Sequence, residues 1–288
     1  MKKQYPILII FFVSLFAACE QDAFLNGALD TYVYKMYPGA SNLEWKKQHN
    51  YYVAMFRNEG CYNEAWYDTH GKWYMTAITT PYINLPEIIR DGLIAAGFPE
   101  KNLETKINTI KRIKYDFISE RYVINIKQDK NINYFFTYTG FLFGSTADND
   151  FLNPIVLPEK VKDDLAERYA KNLIYDAQKP KDTVNDLLDV MMLIQNTEQK
   201  MIVKYQNDEW NMSLKRISMA EIPVVVRLKL DEYMREKYEN ETEWNVLDIY
   251  SLLTNQHTED PLYYFEIIIR QETIGVLIDS EGKLIDLP

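Results

Sequence analysis

Three segments of the chain open alike. LPEIIRDGL begins at Leu85, LPEKVKDDL at Leu157 and IPVVVRLKL at Ile222, at intervals of 72 and 65 residues. Behind Pro158, apolar or aromatic residues recur every four positions at Val161, Leu165, Tyr169 and Leu173, and behind Pro223 they recur at Val226, Leu230, Met234 and Tyr238. That period predicts amphipathic helices with one buried stripe. Proline suits a helix start, where its missing N–H would lack an intrahelical partner anyway. A segment from about Leu29 to Met36, just before YPGA, fills the first slot of the series without a proline.

Behind each helix the pattern changes to short runs rich in β-branched and aromatic residues. Examples are NLEWKKQ, YYVAMFR and CYNEAWYD in the first quarter and YYFEIIIR with ETIGVLID in the last. These predict strands. Turn signals close the groups near Gly71, Gly140, Asp208 and Gly282, about seventy residues apart. The stretches YDTHGKWY at 67–74 and IDSEGKLI at 278–285 share the pattern D-x-x-G-K. A phosphate loop would need G-x-x-x-x-G-K-[ST], which is absent, and a calcium loop would need ligands that Thr69, His70 and Lys72 do not supply. The pattern reads as a structural turn. Asp68 and Asp279 accept hydrogen bonds from the backbone ahead of them, and Gly71 and Gly282 supply a positive φ. The repeating unit is α-β-β-β, with two units sharing a sheet. The fold class is therefore α+β, two tandem domains, each with helices on one face of an antiparallel sheet. The polar stretch FGSTADNDFLNP marks the boundary, giving domains at 28–146 and 157–288 with a linker at 147–156.

The N-terminus adds an address. MKKQYPILIIFFVSLFAACE carries two lysines, an apolar run from Ile7 to Phe16, two alanines and Cys19, the layout of a secretory leader too short to be a membrane span. Small residues before a cysteine resemble the lipobox of bacterial lipoproteins. That resemblance implies a signal peptide at 1–18, lipid on Cys19 and a tether at 19–27, so the protein meets the membrane through its lipid anchor. The net charge of -10, or -12 once Lys2 and Lys3 are removed, excludes nucleic acid as an expected partner. Cys61 is the only other cysteine, and the three histidines, His49, His70 and His257, are scattered. No metal site, cofactor or activated thiol is expected.

The first quarter also carries a family pattern: Tyr37, Pro38 and Ala40; Trp45; Tyr52, Ala54 and Phe56; Glu64, Ala65, Tyr67, Asp68, Gly71 and Trp73; then Leu85 and Pro86. It resembles the PepSY-like, β-lactamase-inhibitor-like family of secreted lipoproteins of Bacteroidetes. The resemblance covers about 29–143; over 157–288 only the helix starts and the last D-x-x-G-K carry it. It implies a β-lactamase-inhibitor-protein-like fold and carries over no catalytic residue.

Strand alternation places Trp45, Tyr52, Ala54, Phe56, Ala65 and Tyr67 under the helices. The other face then holds Tyr51, Val53, Met55, Arg57, Tyr62, Glu64 and Trp66, a mixture of aromatic, Met and charged residues like that of protein interfaces. This is the candidate binding face. The function expected is a non-enzymatic, lipid-anchored module of the cell envelope, at the outer membrane, periplasmic or surface-exposed. It recognises an envelope protein or peptide through its sheet, as an inhibitor or sensor. The alternative is a structural or accessory lipoprotein of an envelope complex.

Overall fold

In a computed structural model the described residues are 27–98, 101, 103–127, 130–148, 152–179, 186–195, 197, 199–238, 244–254, 257–269 and 272–285. The leader at 1–18, Cys19 and nearly all of the tether lie outside them. The chain divides into two compact units between Pro154 and Ile155, and each is an α+β meander.

In the first unit, helix α1 (27–36) precedes β1 (Ser41–Gln48), β2 (Tyr51–Asn58), β3 (Cys61–Tyr67) and β4 (Trp73–Thr79). Helix α2 (Glu87–Ala95) and the single turn α3 (Leu103–Lys106) then lead into β5 (Ile107–Tyr115), β6 (Arg121–Lys127), β7 (Asn131–Thr137) and β8 (Leu142–Thr146). The second unit repeats the plan. Helix α4 (Glu159–Arg168) precedes β9 (Leu173–Gln178), β10 (Leu187–Leu193), β11 (Lys200–Gln206) and β12 (Glu209–Arg216); helix α5 (Val224–Lys237) precedes β13 (Trp244–Thr254), β14 (His257–Ile269), β15 (Glu272–Ile278) and β16 (Leu284–Ile285). Each unit has one eight-stranded antiparallel sheet whose strands lie side by side in sequence order. The repeat thus holds four strands, one more than expected, because the strand that follows the closing turn belongs to the unit. In addition, α4 stops at Arg168, so Leu173 begins β9 rather than ending a helical stripe.

The helix starts follow from their prolines. Pro86, Pro158 and Pro223 stand at the N-cap with φ between -56 and -54°. Their carbonyls accept the first helical N–H groups, as Pro86 does from Arg90 and Pro158 from Lys162. The residue before each proline begins the buried stripe: Leu85, Ile89 and Leu93; Leu157, Val161 and Leu165; Ile222, Val226, Leu230 and Met234. These stripes lie on one face of their sheets. Under α1 the core is Val33, Ala54, Phe56, Ala65 and Tyr67, and under α2 it includes Ile110, Ile124, Ile126 and Phe136. Under α5 it includes Phe265, Ile267, Val276 and Ile278. Helix α4 is held differently. The buried Tyr205 hydroxyl donates to Asp164 Oδ2 at 2.8 Å, and Arg168, bonded to the other Asp164 oxygen, lies 4.8 Å from the Trp210 ring.

The shared D-x-x-G-K turns are built alike. Asp68 Oδ1 accepts from the His70 and Lys72 amides at 2.8 and 2.9 Å; Asp279 Oδ1 accepts from Glu281 and Lys283 at 3.0 and 2.7 Å. Gly71 and Gly282 have φ of +82° and +89°. These glycines also let helices approach. A Cβ on Gly71 would lie 3.1 Å from Leu29 and 3.2 Å from Tyr32 of α1, and one on Gly282 would lie 2.9 Å from Val225 of α5. The contact is closest in the second repeat, where a Cβ on Gly92 of α2 would overlap the Gly140 carbonyl oxygen and one on Gly140 would overlap the Ile88 carbonyl oxygen.

The face of the first sheet away from the helices is also apolar at its centre. Val53, Trp66, Met75, Ala77, Ile113 and Val123 are all buried there, and pairing puts Val53 and Met75 on either side of Trp66. This corrects the candidate binding face at Val53 and Trp66. Alternation assigns a residue to a face, but a strand buried on both faces is apolar on both.

Three outcomes follow. Gly92→Ala, forced into backbone, is expected to cost about 1–3 kcal/mol or more by urea denaturation, whereas Gly144→Ala, whose Cβ would meet only Phe135 at 3.6 Å, stays within about 0.5 kcal/mol. Trp66→Ala is expected to cost about 3–5 kcal/mol, as a core deletion would; a melting temperature equal to wild type would show that the indole is not packed. Burial, and then Asp176, push the Tyr175 phenol up to about 12. The folded state therefore favours the protonated phenol, and that stabilisation is complete below about pH 10 and lost as pH rises through 12. Melting temperature should fall across that window, and less steeply in Tyr175→Phe.

Candidate functional site

The seven residues of the predicted face do not act together. At one end, Tyr51 leans edge-on against Trp66 and Tyr74, with ring centroids 6.0 and 5.6 Å away. Burial, followed by the Asp68 charge, raises its pKa. In the middle, Met55 is half-buried, and Glu64 is bonded to Lys111 across β4 at 2.7 Å. At the other end, Arg57 is exposed and Tyr62, its partner across the β2–β3 pair, is 37% exposed. Burial, then Glu64 and Glu44, push the Tyr62 phenol up. Only this end remains open.

Arg57 and Tyr62 border a cavity of about 500 Å³, within the size range of small-ligand sites. Strand pairing assembles it. The tight turn at Glu59 and Gly60, with φ of +51° and +77°, brings Cys61 and Tyr62 back beside Arg57. Across the sheet, β4 ends at Thr79 opposite Lys111, and the Thr80 amide donates to the Ile110 carbonyl at 2.9 Å. Thr80, Pro81 and Tyr82 thus form one wall, while Glu104 and residues 107–110 form another.

The wall at Asn108 belongs to a ladder of amides. Asn108 Nδ2 donates to Asn125 Oδ1 at 2.8 Å and to Asn131 Oδ1 at 3.1 Å. Asn125 donates to Asn133 at 2.7 Å, and the buried Asn133 donates to the Asp148 carbonyl at 2.9 Å. With both its N–H groups engaged, the Asn108 side chain offers its carbonyl oxygen as an acceptor. The site therefore combines a guanidinium, a phenol, threonine hydroxyls, an amide acceptor and a carboxylate around a partly apolar floor.

Cys61 is a free, half-buried thiol in the same wall. His49 and His70 stand on turns at the opposite end of the sheet, since Gln48 pairs with Tyr51 and Tyr52 with Tyr67. Asp68, Gly71, Asp279 and Gly282 hold turns, and Cys19, expected from the sequence to carry lipid, lies outside the described residues. Among the described residues, no three His, Cys, Asp or Glu side chains gather as a metal would need, and no helix is long and apolar enough to cross a membrane. The sequence reading missed Thr80, Pro81, Tyr82, Glu104 and Asn108. They carry no local motif: the β2–β3 and β3–β4 pairings bring Thr80, Pro81 and Tyr82 to Arg57, and the β4–β5 pairing adds Glu104 and Asn108.

Comparison with known proteins finds a likeness over part of the chain. A BLIP-like protein from Bacteroides fragilis is 24% identical, with 45% of this chain and 93% of that chain covered and a TM-score of 0.39. A DUF2874 family protein from Bacteroides ovatus is also 24% identical, covering 44% and 93% with a TM-score of 0.39. Another from Bacteroides uniformis is 19% identical, covering 41% and 86% with a TM-score of 0.37. No curated protein matches the chain. The family described as beta-lactamase-inhibitor-like, PepSY-like matches residues 50–142, so it is to this family that the first unit, from β2 to the start of β8, is similar.

Proposed function

We propose that this chain is a non-enzymatic, lipid-anchored module of the cell envelope that binds a peptide or protein segment at the far end of its first sheet. The observation that carries the reading is the pairing of exposed Arg57 with Tyr62 at the lip of the 500 Å³ cavity. Tyr and Arg are the residue types that dominate binding energy at interfaces, because each combines a large apolar body with a directional polar group. The amide acceptor of Asn108 and the threonine hydroxyls suit a peptide backbone, and Arg57 suits an acidic side chain or a terminal carboxylate. The inhibitor-like description of the matching family agrees with a role in binding. The leader and Cys19 pattern supports the envelope address and the lipid anchor.

The test is capture from detergent-solubilised envelopes with the full chain as bait. Arg57→Ala with Tyr62→Ala should lower recovery of the partner at least tenfold, corresponding to about 1.4 kcal/mol or more. Both side chains project from the surface, so the melting temperature should hold. Undiminished capture by a folded double variant would overturn the site.

A further inference from the structure

The strand register gives the first unit two unlike ends. Gln48 pairs with Tyr51, Tyr67 with Trp73, Met75 with Tyr115, and Arg121 with both Ile113 and Thr137. The turns at 49–50, 68–72, 116–120 and 138–141 therefore share one end, and the cavity occupies the other. The first described turn of α1 lies at the turn end. Leu29 and Tyr32 lie against Gly71, whereas Gly39, beyond the helix, faces Asn58 at the cavity end.

Only eight residue steps separate Cys19 from Gly27, the first described residue of α1. A fully extended chain of that length reaches about 28 Å. A lipid on Cys19 thus holds the turn end of this unit no further from the bilayer than about 28 Å, close to the length of one eight-residue strand.

That end has the composition of a surface resting on lipid. Tyr32 and Tyr138 are half-exposed, as is Ile88 at the start of α2, and Phe117 at the tip of its turn is 37% exposed. Amphipathic tyrosines and protruding apolar side chains are the groups that settle at headgroup level. Charge does not oppose this. Lys72, with Lys47 and Lys114 on adjoining strands, offsets Asp68, Asp116 and Glu87, and Glu120 of the same end is paired with Arg112 at 2.8 Å, although the whole chain carries -10. We infer that the turn end of the first unit, centred on Tyr32, Phe117 and Tyr138, seats on the lipid surface and holds the cavity at the end away from it. The inference rests on the lipid-anchor reading above.

The test uses the full chain purified from membranes and reconstituted in vesicles containing brominated phosphatidylcholine, with Cys61→Ser removing the background thiol. A bimane fluorophore is placed at Tyr138→Cys, at Phe117→Cys as a second probe of the turn end, and at Lys127→Cys on the exposed opposite end. Severalfold stronger bromine quenching at 138 and 117 than at 127 is the expected result. Equal quenching at both ends, or stronger quenching at 127, would overturn the orientation. Labelled palmitate incorporation is measured on the same preparations. A chain without the label fails the anchor reading and this inference together, whereas a labelled chain with equal quenching fails the inference alone.

Discussion

The helices reach their sheets because hairpin turns give them room. In the second repeat, α2 and the turn after β7 meet backbone to backbone, through two glycines that leave no side chain between them. The first and fourth repeats use one glycine each, beneath α1 and α5. This close approach fixes the height of each helix over its sheet, and with it the depth at which the stripes beginning at Leu85 and Ile222 enter the core. A methyl group at the contact would lift the helix and open the layer beneath it. The third repeat shows what replaces a glycine. Its turn is Asn207–Asp208, with φ of +52° and +62°, and its helix is tied down by the Tyr205–Asp164–Arg168 chain instead. Asn and Asp tolerate that backbone better than other residues bearing a side chain.

The first sheet is buried on both faces through its central strands, and its outer face is exposed along the edge strand β1 and at Arg57 and Tyr62. Under the proposed function, that division separates stability from recognition. Trp66, Val53 and Met75 act as core, so binding cannot be spread over the sheet surface without dismantling it. Arg57 and Tyr62 can change with little consequence for the fold. The amide ladder from Asn108 to Asn133 links strands β5 to β7, so one wall of the cavity is braced by hydrogen bonds that run deep into the sheet. A braced wall loses little freedom when a ligand arrives.

Much of this architecture was legible in the chain. Proline located the starts of α2, α4 and α5, and a four-residue apolar period traced α4 and α5, because capping and burial both act locally. The D-x-x-G-K stretches located two turns for the same reason, and alternation correctly placed Ala54, Phe56, Ala65 and Tyr67 beneath α1. Alternation could not reveal whether the second face was also covered, since Trp66 on an open face and Trp66 in a core look alike in a strand of seven residues. The fourth strand of each repeat was hidden because a closing turn reads as an end. Half of the cavity was illegible for a different reason: Tyr62 and Asn108 are 46 positions apart in sequence, and they come together only through two intervening strand pairings.

The order of the strands has a consequence for how such a chain is made. Every strand of both sheets pairs only with strands adjacent to it in sequence, so no strand waits for a distant partner. A chain synthesised N-terminus first can close each hairpin as it appears, and each new strand finds its template already formed. Sheets that insert a late strand between early ones must hold sticky edges open meanwhile. Here the growing edge is always the newest strand, and the exposed template never exceeds a single edge awaiting the next residues to emerge.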